Sequence, residues 1–157
     1  MSDIKSILLV CTGNSCRSVM AEGLMERELE KLGKNGIMVR SAGIRAIDGF
    51  SPTEETIEVM KENGMDVHLS RSQSLDEDLV NGSDLILVME NVHKNDIRAR
   101  FPYASAKTHL LKEYKSDVVP TDSADAGIQD PIGMPLNYYR NCFKAIKAQI
   151  ERIAATI

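Results

Sequence analysis

The sequence predicts an α/β fold, a single domain over residues 1–157, whose parallel sheet carries helices on both faces. Three observations predict it. Apolar runs of strand length alternate with segments of helical periodicity, which implies βαβ crossovers and therefore parallel strands. The 157 residues, 43% hydrophobic and 27% charged, have the size and composition of one globular domain with one core. Finally, the first apolar run leads straight into V-C-T-G-N-S-C-R-S, Val10 to Ser18, and then into a helical pattern. A strand, a tight loop and a helix N-terminus meet there, at the kind of strand end where open α/β sheets bind ligands.

The elements follow in order. Ile4, Ile7, Leu8, Leu9 and Val10 read as a buried first strand. Ala21, Leu24, Met25 and Leu32 recur on one face of a helix that starts near Ser18 and ends near Gly33. Ile37 to Arg40 reads as a second strand. Ser51, Pro52 and Glu54 supply an N-cap, a first-turn proline and a capping acid for a helix running from about Pro52 to Gly64. Ser74 and Glu77 repeat that signature before a short segment ending near Gly82. Asp84 to Met89 is the third strand, Asn91 caps a helix to about Arg100, and Lys107 to Leu111 is a short fourth strand. A polar stretch from Lys112 to Pro135 precedes a closing amphipathic helix, where Tyr139, Cys142, Phe143, Ile146, Ile150 and Ile153 share one stripe.

Bulk properties exclude several classes. A formal charge of −4 argues against general nucleic-acid binding, which needs clustered positive charge. No apolar run is long enough for a membrane span, and the N-terminus lacks a basic region followed by a signal core, so the expected location is cytoplasmic. Cys11, Cys16 and Cys142 are too few for a disulfide framework, and their spacing misses the zinc patterns. His68, His93 and His109 are scattered. Neither a metal nor a cofactor is expected.

The chemistry concentrates at the loop. Backbone N–H groups at a strand-to-helix turn converge on one point, and the helix macrodipole adds about half a positive charge, so an oxyanion is favoured there. Gly13 permits close backbone approach, Asn14 tolerates a left-handed conformation, Arg17 offers a planar fork for two phosphate oxygens, and Ser18 can donate to a thiolate. Neighbouring cations and helix N-termini lower thiol pKa values from about 8.5 to about 3.5–7.5, which makes Cys11 the nucleophile. The alternative, two small buried cysteines beside a surface arginine, leaves this combination unexplained. An ATP-binding loop is set aside because the Gly-Lys-Ser/Thr ending is missing. Displacement at phosphorus also needs a proton donor. Asp117, Asp122, Asp125 and Asp130 are available, and only Asp130 precedes a proline, within D-P-I-G. An ordinary Asp-Pro turn explains that string equally well.

Taken together, C-T-G-N-S-C-R-S at Cys11 to Ser18, R-S-A-G at Arg40 to Gly43 and Asp130-Pro131, in this order, resemble the low-molecular-weight protein tyrosine phosphatase family over essentially the whole chain. The resemblance implies a four-stranded parallel sheet of order 2-1-3-4 and no metal. It implies that Cys11 attacks phosphorus while Thr12, Gly13, Asn14, Ser15, Cys16, Arg17 and Ser18 form the phosphate-binding loop. Asp130 then protonates the leaving group and later activates water. Asn14 is expected to hold the loop through Ser41 and His68, the latter within H-L-S-R at His68 to Arg71. Cys16 matches a loop cysteine that can pair with Cys11, although a purely structural role is equally open. The implied partner is a phosphorylated protein, with no nucleic acid and no membrane, and the chain is expected to act as a monomer.

Departures from the pattern bear on substrate. Tyrosine phosphatases of the family carry an aromatic pair after the Asp-Pro and a Trp-like residue after the second strand, whereas this chain has Ile132-Gly133 and Ile47-Asp48-Gly49-Phe50. Phe50 is left to supply one wall. Ser15 stands where tyrosine phosphatases place an aliphatic residue and arginine phosphatases a threonine. Phosphotyrosine is the expected substrate, with phosphoarginine the runner-up. Arsenate reductases share the loop string but need two cysteines just after the third strand, and Met89 to Asp96 reads M-E-N-V-H-K-N-D. Cys142 is the only spare thiol. A loop that binds phosphoproteins without turnover is the remaining alternative, which the presence of Asp130 disfavours.

Overall fold

A computed structural model describes residues 3–117 and 127–157. Four strands, β1 (Ser6–Cys11), β2 (Met38–Gly43), β3 (Leu85–Val88) and β4 (Thr108–Leu110), form one parallel sheet of order β2-β1-β3-β4. Five α-helices lie between and after them: α1 (Arg17–Lys31), α2 (Glu54–Glu62), α3 (Glu77–Asn81), α4 (Asn91–Arg100) and α5 (Leu136–Ala154). A 3-10 turn over Pro102–Lys107, which the sequence pattern does not announce, leads into β4.

The central strand explains the two-sided core. β1 is buried along its whole length, and its side chains alternate between faces. Ile7 and Leu9 pack with Met20, Leu24, Ile146 and Ile150 beneath α1 and α5. Leu8 and Val10 pack with Leu79, Ile86 and Ile97 beneath α3 and α4. Each such side chain contributes about 1.5–3 kcal/mol when fully buried, so β1 is anchored from both faces before its last residue, Cys11, is reached. The stripe expected on α5 is buried throughout.

Several boundaries differ from the sequence reading. β2 runs on to Gly43, because Ala42 and Gly43, weak strand formers alone, pair with Val10 and Cys11. Leu32 is 46% exposed at the end of α1, and Leu29 takes the core position instead. The cap of α2 is Thr53 rather than Ser51, since Thr53 Oγ1 accepts from Thr56 N at 3.3 Å, which leaves Pro52 outside the helix. Asp76, not Ser74, caps α3 by accepting from Leu79 N. Ser74 donates its N–H to Asp48 and bridges to Gly43. Glu90 rather than Asn91 caps α4, in a reciprocal box with His93. No described helix is long and apolar enough to cross a membrane.

Candidate active site

The first helix begins without a side-chain cap. Cys16 occupies the cap position of α1 and makes no capping hydrogen bond, so the first-turn N–H groups are left for an anion. Between β1 and α1 the loop closes through Asn14, the one residue in it with positive φ, at 54°. Gly13, expected to permit close backbone approach and positive φ, has no positive φ, and a Cβ there would meet only Ser15 Oγ at 3.5 Å. The glycine that the loop requires is Gly43, at the end of β2. A Cβ on it would lie 2.5 Å from Thr12 O and 2.8 Å from Asn14 N. Just beyond it, Ile44 N and Arg45 N donate to the carbonyls of Cys11 and Thr12 at 3.0 and 2.9 Å.

Buried polar groups surround Cys11. Cys11 Sγ lies 3.0 Å from Ser18 Oγ, and Ser18 Oγ accepts from Asn14 Nδ2 at 2.7 Å. Ser18 therefore keeps its hydroxyl proton available to a Cys11 thiolate. Asn14 Nδ2 also donates to Ser41 Oγ at 3.0 Å, as expected. The expected contact with His68 is absent. Asn14 Oδ1 accepts from Gln73 N at 2.9 Å, whereas His68 is exposed and its Nδ1 pairs with Asp66 at 2.5 Å. Ser41 Oγ in turn donates to Glu22 Oε1 at 2.5 Å, and burial raises the Glu22 pKa.

Arg17 is 1% exposed, and a buried guanidinium needs partners. Its Nη1 lies 3.1 Å from Glu90 Oε2 and donates to Ile128 O at 2.8 Å. Its Nη2 faces Asp130 Oδ2 at 3.4 Å and Thr12 Oγ1 at 3.4 Å. One arm of the fork is therefore tied to the scaffold while the other faces the loop residue and the acidic residue together. Asp130 is partly exposed, and its Oδ1 accepts from Ile132 N at 3.1 Å. One carboxylate thus both closes the Asp-Pro turn and meets the Arg17 guanidinium. Gly133, at φ +79°, turns the loop back, and Ile128 N donating to Met89 O at 2.7 Å ties its base to the end of β3. Of the other acids considered, Asp122 and Asp125 lie outside the described residues, and Asp117 precedes them.

Around Cys16 the neighbours are hydroxyls: Thr53 Oγ1 at 3.6 Å and Ser15 Oγ at 3.7 Å. Burial and the nearby Cys16 push the Tyr139 hydroxyl up to about 12. Cys142 is buried, its Sγ 3.9 Å from Gln129 O, and desolvation pushes its thiol up to about 12. A second set of groups went unread in the sequence: Glu22, Gln73, Glu90, His93 and the Ile128 carbonyl. Glu90 carried a usable signal, because it directly follows the strand beside β1 at the carboxyl end of the sheet.

This geometry combines a thiol beside a hydroxyl donor, an uncapped helix N-terminus, a buried arginine and an aspartate on a loop. The described family Low molecular weight phosphotyrosine protein phosphatase matches residues 6–157. The chain belongs to that family. A probable low molecular weight protein-tyrosine-phosphatase EpsP from Ralstonia nicotianae is 41% identical over 148 residues, 94% of this chain and 92% of the relative. A protein-arginine-phosphatase from Geobacillus stearothermophilus is 36% identical over 148 residues, 94% of this chain and 93% of the relative. Among solved structures, a low molecular weight protein tyrosine phosphatase from T. tengcongensis superposes with TM-score 0.86 at 34% identity, covering 97% of this chain and 99% of that one. The matched region, residues 6–157, includes the loop between β1 and α1.

Proposed function

We propose that the chain hydrolyses phosphotyrosine in protein substrates, through a phosphate ester of the Cys11 thiol. The observation that carries this is the placement of Arg17: its second arm, Nη2, faces Asp130 beside the same loop in which Ser18 contacts Cys11. In the first step the Cys11 thiolate forms a bond to phosphorus, the bond to the tyrosyl oxygen breaks, and Asp130 delivers a proton to that oxygen. In the second, water attacks phosphorus, Asp130 takes its proton, and the P–S bond breaks to regenerate the thiolate. Loop N–H groups and Arg17 stabilise the equatorial oxygens in both. A free thiol nucleophile beside a second thiol fits a reducing compartment, the cytoplasm.

An aromatic wall supports phosphotyrosine. Tyr138 is 50% exposed and lines, with Asp130 and Ile132, a cavity of about 500 Å³, while Phe50 is 62% exposed on the loop after β2. Each ring is exposed and open to contact with an aromatic substrate group, in place of the missing pair after Pro131. Phosphoarginine is the second reading, favoured by the Ser15 hydroxyl in the loop, 3.7 Å from the Cys16 sulfur. Arsenate reduction lacks the thiols to carry a disulfide away from Cys11, since Cys142 is buried with a raised pKa.

Initial rates on one peptide carrying either phosphotyrosine or phosphoarginine decide between the substrates. We expect faster release from phosphotyrosine and none from either with Cys11→Ser. The reverse order assigns the enzyme to phosphoarginine, and turnover by Cys11→Ser removes the mechanism.

A further inference from the structure

His93 is fully buried at the start of α4, and its tautomer is fixed by its neighbours. Glu90 N donates to Nδ1 at 3.0 Å, so the neutral ring carries its proton on Nε2. Burial, and then the charge of Arg17, push the ring down to about 3, which keeps it neutral at working pH. Nε2 lies 2.9 Å from Thr12 Oγ1 and donates to it. The same oxygen accepts from Arg17 Nη2 at 3.4 Å. Both acceptor positions of the Thr12 hydroxyl are therefore filled by donors, and its own proton has to point elsewhere. Among the described residues no group accepts it. Thr12 is partly exposed in the phosphate loop, beside the arginine nitrogen that faces Asp130.

We propose that the Thr12 hydroxyl is a hydrogen-bond donor to the phosphoryl group in the transition state, and that His93 is the positioning residue that aims it. The proposal rests on the phosphatase reading above. A preorganised donor in a loop already crowded with N–H groups strengthens as charge builds on the equatorial oxygens, so it favours the transition state over bound phosphate. His93 cannot act as a proton donor to substrate, since its one N–H is spent on Thr12.

Two substitutions isolate the effect. Thr12→Val removes the hydroxyl at nearly constant shape, and Thr12→Ser keeps it. His93→Asn retains an acceptor for Glu90 N, so α4 stays capped, but does not reach Thr12. Calorimetric titration with orthovanadate, a pentacoordinate mimic, and with inorganic phosphate reads the donor whether or not the chain turns over substrate. We expect Thr12→Val to weaken vanadate about 10-fold or more, to weaken phosphate less, and to be rescued by Thr12→Ser. His93→Asn weakens vanadate in the wild-type background and changes nothing further in Thr12→Val. With p-nitrophenyl phosphate the same variants lose kcat rather than raise KM. Equal weakening of both anions, unchanged vanadate affinity in Thr12→Val, or additive effects of the two substitutions overturn the proposal. Absence of wild-type turnover alongside the expected vanadate pattern would instead remove the phosphatase reading and leave the donor in place.

Discussion

Gly43 shows how a single missing Cβ shapes the site from another strand. It touches no reacting atom, yet a methyl there would press on Thr12 O and Asn14 N, which are backbone atoms that cannot rotate away. For Gly43→Ala we predict a displaced phosphate loop, stability lower by about 1–3 kcal/mol as for overpacked sites, and a larger fall in kcat/KM than the stability loss explains. Denaturant unfolding together with steady-state kinetics checks it; wild-type kcat/KM would show that the loop does not depend on this approach. The contrast with Gly13 is instructive about legibility. Cys11, Asn14, Arg17 and Ser18 were readable as candidates because they share one short string. Gly43 and Gln73 were not, because the surfaces they meet come from β1 and its loop, more than 25 residues away. His68 misled for the same reason: only the fold reveals that the Gln73 amide already fills Asn14 Oδ1.

Helix α1 carries two carboxylates, Glu22 and Glu26, whose pKa values are raised. Glu26 is pushed up to about 7, first by desolvation and then by the charge of Glu22. The folded chain thus keeps a proton that the unfolded chain loses near 4.5, so this group makes stability fall as pH rises from about 4.5 to 7. His93 has the opposite sense. Its folded pKa lies below the unfolded value of 6.5, so its contribution is complete above 6.5 and is lost as pH falls toward 3. Because the two slopes oppose, a variant difference is more telling than a wild-type curve. We predict that Glu26→Gln raises Tm relative to wild type at pH 8 and that the gap closes below about pH 4.5. A wild-type chain more stable than the variant at pH 8 would contradict the assignment. At this scale the sequence placed every strand and α-helix, since apolar periodicity is set by burial. Caps were displaced by one or two residues, because Ser51, Thr53, Ser74 and Asp76 all suit a cap and tertiary partners choose among them.

At the scale of the whole molecule, the sheet order puts β1 between β2 and β3, so that successive crossovers leave on opposite sides of it. The loops after β1, β2 and β3 therefore meet at one end. From the first comes Cys11, from the second Gly43, and from the third Glu90, which pins Arg17. The segment carrying Asp130 joins them through Ile128, bonded both to Met89 and to Arg17. This convergence was legible in outline from the order of strands and helices, whereas the pinning of Arg17 by Glu90 and Ile128 required the assembled fold.

The claim that organises these observations is that Cys11 carries the phosphoryl group between substrate and water. Asp130→Ala should slow the hydrolysis step, so that the intermediate accumulates when an activated aryl phosphate supplies the group. Rapid acid quench of that variant followed by peptide mass spectrometry tests this directly. We predict one added phosphoryl group on the peptide containing Cys11, absent with Cys11→Ser. Turnover without any such adduct, or an adduct on a different residue, would contradict it.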